Sequence, residues 1–541
     1  MEATRTGHLW VNGLLCASLL FTLIACNDSE NGSSQNQPLN LPPIVFMADR
    51  DTLGTIELYV SSSDGHEIEK LSGVMVAGGN VAGFKISPDG SQVAYVANPF
   101  DVNTFELFVV SVNPTAGQAP TRVSGPMAGG GIREPVLGEF SFAWAPDGSR
   151  IAYIADQAAV ARFELFTVRP DGTSNLRVSG NFAADGSVQE FAWAPNSTRI
   201  AYRADQNING VFELFTSLPD TATSSIQITS GFTQGTKVTE FAWAPDSSLI
   251  AFISDKTLSG FFQLFTTPPT NSTNILVSGS IIPSGDVVEF KWSPNGARIA
   301  YLADASIDGV FELFTTLPTV DSSLRVSGPL TPGGTVVRFD WAPDSSRIAY
   351  IADQETNEQF ELFTSDPAGG GNIKVSGGLI SDGDVFEFQW APNAGRIAYA
   401  ADAETAGKTE LYVASPTGST PAVKVSGSPM LGAGVQVDFS WSPVGTLIAY
   451  RADQDSAGMI ELFTSSPDGS ENHLISGNLI PGGNVVLFKW SPDSRGVAYL
   501  ADQDTLGRDE LFESLPDGSE NIKASGNIIA GGAVAKFDWV P

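Results

Sequence analysis

Cysteine and histidine are nearly missing from this chain of 541 residues: two Cys (Cys16 and Cys26) and three His (His8, His66 and His473). Both cysteines precede the region described below as repeats, which excludes a disulfide framework or a Cys-based metal site within that region. The scarcity of His likewise excludes a recurring His-metal site. Cationic side chains are also few, 29 Lys and Arg against 60 Asp and Glu, for a net charge of −31. With no Lys/Arg cluster, the chain has no footprint for phosphate backbones, and nucleic acid is excluded as a partner. Anionic lipid head groups would repel it unless something else held it there. Long apolar runs are absent apart from Leu14 to Ile24, which is too short for a comfortable membrane span. What the chain does have is a 42% hydrophobic content, ample for a core, with 55 Gly and 33 Pro that suit many turns rather than long helices.

Residues 1–25 read as an export signal, with Arg5 near the start and small residues after the apolar run. The run ends Leu23-Ile24-Ala25-Cys26. This resembles the lipobox of bacterial lipoproteins, which implies that Cys26 becomes the lipidated first residue of the mature chain. Residues 26–43 are polar and read as a flexible tether, since they bury too little to fold.

Residues 44–541 are one unit repeated. An aromatic-x-Trp element ends at Trp144, Trp193, Trp243, Trp292, Trp341, Trp390, Trp441, Trp490 and Trp539, at intervals of 49, 50, 49, 49, 49, 51, 49 and 49 residues. An earlier copy, Phe84-Lys85-Ile86, has Ile for Trp. Each unit holds four short strands. The first alternates, as in Val288-Glu289-Phe290-Lys291-Trp292. A Pro-Asp-Gly turn or a relative follows, suited to a tight hairpin. The second strand reads Ile-Ala-Tyr-x-Ala-Asp, the third Phe-Glu-Leu-Phe, and the fourth is typified by Leu176-Arg-Val-Ser-Gly180.

Four antiparallel strands at this period predict an all-β fold, a β-propeller. The first copy starts at its second strand, and Phe537-Asp538-Trp539 is a lone first strand. The C-terminal strand is therefore expected to complete the N-terminal blade and hide two edges. The reading is a single ten-bladed ring, with two five-bladed rings as the alternative. Trp-x-Pro-Asp-Gly-x-x-Ile-Ala-Tyr followed by Glu-Leu-Phe resembles the WD40-like repeat of TolB-type periplasmic propellers. Related repeats form the propellers of prolyl-oligopeptidase-type enzymes. The Gly-x-Ser-x-Gly elbow of those enzymes is absent here.

Three sets of residues carry candidate chemistry. Asp49/Asp51/Glu57, Asp453/Asp455/Glu461 and Asp502/Asp504/Glu510 place carboxylates around a Gly turn, as Ca²⁺ requires. The competing expectation is that each Asp caps its own loop through backbone N–H groups. Glu289, Lys291, Arg338 and Asp340 flank the inner-strand Phe, so they should line a wet central channel. The loop Gly125–Leu137, with Gly131, Ile132, Arg133 and Glu134, is the largest departure from the repeat. It reads as a surface insertion or a partner-contacting loop on the acidic face.

The expected function is a lipid-anchored propeller at the bacterial cell envelope, on the periplasmic or outer-membrane side, that binds an envelope protein, a peptide or another ligand. It would touch the membrane only through its anchor. The alternative is a carbohydrate-active hydrolase or lyase. That alternative needs a cluster of unlike polar groups interrupting the repeat at the channel.

Overall fold

A computed structural model describes residues 39, 41–62, 67–115, 117–133, 140–183, 185–427 and 434–541. Cys26 and Glu134 lie outside the described residues. Among those described, every regular element is a strand, and the strands form ten four-stranded antiparallel sheets. The protein is an all-β propeller of ten blades.

Blade six shows the local logic. Its inner strand, Val287–Trp292, pairs with Ile299–Ala303, which pairs with Glu312–Leu317 and then Val320–Arg325. The middle strands are buried over most of their length on both faces, so they read as continuous apolar runs. Register sets Phe290 opposite Tyr301 and Tyr301 opposite Phe314, and the last two rings stack at 5.4 Å.

Closure is as the chain ends foretold. Val534–Trp539 pairs antiparallel with Ile44–Ala48, placing Trp539 opposite Ile44. The resulting composite blade packs on blade ten through Leu500, Leu511 and Phe537, and on blade two through Val45, Met47, Phe84 and Tyr95. Blades five and six also share a core, through Ala251, Leu264, Phe290 and Tyr301. These shared cores make one ring, and the two-ring alternative is set aside. Leu39 and Leu41 are buried in the same core, so the packed body begins a few residues before Ile44.

Blades are joined by side chains as well as by apolar burial. Among the described residues, nine Trp Nε1–H groups donate to a carbonyl of the preceding inner strand, from Trp144 to Lys85 O at 2.9 Å through to Trp539 to Lys489 O at 3.1 Å. Each bond occupies an edge carbonyl that faces the gap between blades and contributes about 1 kcal/mol. The joint from the composite blade to blade two has Ile86 in place of Trp. On the third strands, Thr167, Thr216, Thr266, Thr315, Thr364 and Thr464 donate Oγ1–H to a Pro carbonyl of the next blade.

The hairpin turns add a third link. Ser197, Ser247, Ser345 and Ser494 adopt φ between 61° and 65°, a left-handed conformation that suits Gly and strains other residues. Their Oγ atoms accept backbone N–H groups of the preceding blade at 3.0 to 3.1 Å. The strain is offset by a bond that Gly could not make.

Candidate functional site

The acidic loops are architectural. Each Asp that ends a second strand sends its two carboxylate oxygens to two different loops. Asp353 accepts N–H of Thr335 at 2.5 Å and of Glu358 at 3.0 Å, and Asp402 accepts those of Asp384 and Gly407 at 2.6 and 2.8 Å. The candidate Ca²⁺ ligands follow this rule. Asp49 caps Ala533 and Gly54, Asp453 caps Gly434 and Gly458, and Asp502 caps Asn484 and Gly507. Asn98 keeps the arrangement in blade two, accepting from Asn80 and donating to Val102 O.

The Glu of each third strand is buried and met by a cation of the fourth. Lys70 pairs with Glu57, Arg177 with Glu164 (2.8 Å), Lys374 with Glu361 (2.7 Å), Lys424 with Glu410 (2.6 Å) and Lys523 with Glu510 (2.6 Å). Lys523 also reaches Asp504 at 3.0 Å, and Asp51 meets Arg50 and the Tyr59 hydroxyl. In blade five both partners change: Gln263 replaces the acid, and Leu276 stands opposite Phe265 where blade three has Arg177 opposite Phe166. Blades four and nine keep the Glu without the cation. In blade four the Gln227 amide donates to Glu213 instead, and blade nine differs again. Leu474 faces Phe463 there, and Glu461 is raised above the ordinary carboxylate range by burial and then by Asp455. Among the described residues, no group of three or more His, Cys, Asp or Glu is arranged to hold a metal ion.

The exposed wall formed by the inner strands is different in kind. Glu289 and Lys291 have side chains 38% exposed, Arg338 50% and Asp340 55%. They form a girdle across blades: Lys291 to Asp340 at 3.5 Å, Arg338 to Glu387 at 2.6 Å and Lys489 to Asp538 at 3.2 Å. Among the described residues no ion pair reaches Glu240, and Lys291 acts on it only from a distance. Enclosure, then the charges of Glu289 and Glu190, push its carboxyl up to about 7. A bulge near the start of the inner strand adds apolar side chains to this wall. In blade six it falls between Val287 and Glu289, turning Val288 outward, and Val337, Phe386, Val437 and Val486 are exposed at the same place. The bulge breaks the period of two, which is why the sequence pattern did not reveal these residues.

The insertion interrupts this wall. Ile132 pairs with Ala155 and donates its N–H to Phe105 O, taking the position that Val188 holds in the next blade. Val188 stands three residues before Phe191, whereas Ile132 stands ten before Phe142. The added length thus falls between Ile132 and Phe142, and residues 134–139 lie outside the described residues. Gly131 N–H donates to Asp156, and Arg133 donates to Val188 O at 2.5 Å and to Gln189 Oε1 at 2.9 Å.

The consequence is an opening in the wall. The inner strand of blade three is reduced to Phe142–Trp144. Phe191 and Trp193 of blade four are half-buried, as are Phe241 of blade five and Trp292 of blade six, whereas Phe339 and Trp341 of blade seven are 0% and 5% exposed. A cavity of about 520 Å³ forms there, bordered by Lys85, Phe140, Phe142, Gln189, Glu190, Phe191 and Arg203 among others. Arg203 Nε lies 2.6 Å from Glu190 Oε1.

The fold and its repeat define a β-propeller. Residues 59–258 match the family model described as the lipoprotein LpqB beta-propeller domain. No curated protein matches the chain in sequence. Among solved structures, a eukaryotic initiation factor is 11% identical, covering 93% of this chain and 99% of its own, with a TM-score of 0.47. A TolB from Agrobacterium tumefaciens is 15% identical over 44% of this chain and 81% of its own, with a TM-score of 0.27. An oligogalacturonate lyase in complex with manganese is 13% identical over 69% and 96%, with a TM-score of 0.36. Among the described residues, no helix is long and apolar enough to cross a membrane.

Proposed function

We propose that the chain is a lipid-anchored binding scaffold of the bacterial cell envelope, taking a protein, peptide or other ligand at its ring. The observation that carries this reading is the contrast between the repeated polar groups and the opening. Most of the repeated carboxylates are consumed in capping or ion pairs within the fold, while the one large departure from the repeat exposes aromatic and charged side chains at the wall. The matched LpqB model, a lipoprotein's propeller, supports an envelope placement together with the Leu-Ile-Ala-Cys26 motif. Lys85, Gln189, Glu190 and Arg203 are unlike polar groups of the kind a hydrolase or lyase would need. Glu190, however, is held in an ion pair, which suits recognition better than proton transfer.

Two measurements test the proposal. Metabolic labelling with a fatty acid is expected to mark the wild-type chain and not Cys26→Ser; label retained by the variant removes the anchor. Stable attachment then rests on more than one acyl chain, since a single chain binds only marginally. Crosslinking in intact cells, followed by purification of the lipoprotein, is expected to capture a partner that depends on the opening. Capture unchanged by Phe191→Ala would place binding elsewhere on the ring.

A further inference from the structure

Glu461 of blade nine is a buried carboxylate that the fold leaves without a cation, a feature independent of the opening and of the scaffold reading. Three sister blades show what belongs beside such a group. In blade seven Lys374 sits between Glu361 and Glu355, at 2.7 and 2.9 Å. In blade eight Lys424 sits between Glu410 and Glu404, at 2.6 and 3.2 Å, and in blade ten Lys523 sits between Glu510 and Asp504, at 2.6 and 3.0 Å. One acid of each pair is the buried Glu of the third strand. The other stands two residues after the Asp that ends the second strand. A further cation reaches the buried Glu in two of these blades, Lys408 in blade eight and Arg508 in blade ten.

Blade nine keeps both acids, Glu461 and Asp455, and has neither cation. Leu474 stands opposite Phe463 where Lys374 stands opposite Phe363, and Met459 takes the place of Lys408 and Arg508. Glu461 is 6% exposed, and its Oε2 is buried with no hydrogen-bond partner among the described residues. Glu164 and Glu361 also leave Oε2 unmet, but their Oε1 holds an arginine or a lysine. From residue 39 onward, the positions outside the described residues contain neither Lys nor Arg. Asp455 and Leu474 are exposed, so the gap between the two acids opens to solvent. Leucine also ends short of the place where lysine carries its nitrogen. Asp453 is already committed to the N–H groups of Gly434 and Gly458, and the two remaining carboxylates are too few oxygen ligands for Ca²⁺. An ammonium, a compact charge with three donors, needs no more than the two that hold it in the sister blades.

We propose that blade nine binds a primary ammonium on an alkyl chain between Glu461 and Asp455, at the position that Lys374, Lys424 and Lys523 fill in their own blades. The lysine side chain of a partner and a free alkylamine both carry this chemistry.

The test is isothermal titration of the full chain with N-acetyl-Ala-Lys-Ala-amide, with the same peptide acetylated on the lysine nitrogen, and with n-butylammonium. The lysine peptide is expected to bind at least tenfold more tightly than its acetylated form, which keeps the alkyl chain and loses the charge. Leu474→Lys supplies the ammonium from within and is expected to abolish binding, whereas Leu474→Met is expected to leave it unchanged. That pair separates the site from general attraction to a chain of net charge −31, which one added lysine barely alters. Tighter binding of the peptide than of butylammonium identifies a partner's lysine as the ligand; equal or weaker binding identifies a free amine. Equal binding of the two peptides, binding of neither the lysine peptide nor butylammonium, or binding that survives Leu474→Lys overturns the proposal. The acetylation comparison uses the unmodified chain, so it stands even if a variant fails to fold.

Discussion

The wall from blade six to blade eight and the wall from blade two to blade four are built from the same repeat, yet the described residues form three long inner strands in one and not in the other. In the first, Val287–Trp292, Val336–Trp341 and Val385–Trp390 run side by side, and ion pairs and Trp bonds cross each gap. In the second, the middle inner strand has three residues, and Phe191 and Trp193 are half-buried. Both regions keep their buried second and third strands and the apolar clusters between blades. The ring therefore draws its stability from those layers and tolerates a short inner strand. The repeat supplies the frame, and departures from it supply surface that something else can use.

The comparison can be broken most severely at the closing blade. Deleting Val534–Pro541 removes buried Phe537 and Trp539 and exposes two strand edges. Each large aromatic is worth ~3–5 kcal/mol, so cooperative unfolding followed by circular dichroism is expected to be lost. A truncated chain with an unchanged melting curve would show that closure does not hold the ring.

Next in size is the pair Trp341→Ala and Trp193→Ala. Buried Trp341 is expected to cost ~3–5 kcal/mol and half-buried Trp193 distinctly less, by chemical denaturation. Equal losses would mean that the two walls are equally packed. Smaller again is the turn serine. Ser345→Ala keeps the strained φ of 64° and leaves Asn295 N–H without its acceptor, for a loss of about 1 kcal/mol. Ser345→Gly relieves the strain and is expected to be close to neutral; a Gly variant as weak as Ala would assign the whole effect to the bond.

The smallest effect, because solvent screens an exposed side chain, is a pH dependence at Glu240. Its folded-state value of about 7 lies above the ordinary 4.5, so the native ring holds that proton more tightly than the unfolded chain. Its contribution to stability therefore declines as pH rises from about 4.5 to 7. Glu240→Gln is expected to melt above the wild type beyond pH 7, with the gap closing toward pH 4.5. A gap independent of pH would refute the assignment.

How much of this was legible beforehand follows the period. Strand order, blade count and the pairing of Trp539 with Ile44 all come from a pattern repeated ten times, where chance irregularities average out. The capping role of Asp453 or Asp502 was weighed against Ca²⁺ because spacing alone does not show which atoms occupy a carboxylate. The opening was not legible, although its cause was. The additional residues were visible as length, but only the pairing of Ile132 with Ala155 shows that the chain has already reached blade three before them. Val288 and its equivalents escaped notice for a similar reason, since a bulge erases the alternation by which faces are assigned. The Trp and Ser links were missed because they join residues about fifty positions apart.

Those links bear on how such a ring changes size. Each joint uses the same parts, a Trp nitrogen on the neighbour's inner strand, a Thr hydroxyl on its Pro carbonyl and a turn Ser on its amide, with local replacements. No joint carries information about how many others exist; only the angle between blades does. An in-frame duplication or loss of one repeat in the gene would present every new neighbour with a surface it already fits, spreading the adjustment thinly around the ring. The composite blade alone could not be copied this way, because its strands come from distant parts of the chain. Blade number is thus an easily altered quantity in this architecture, and the closing blade is its fixed point.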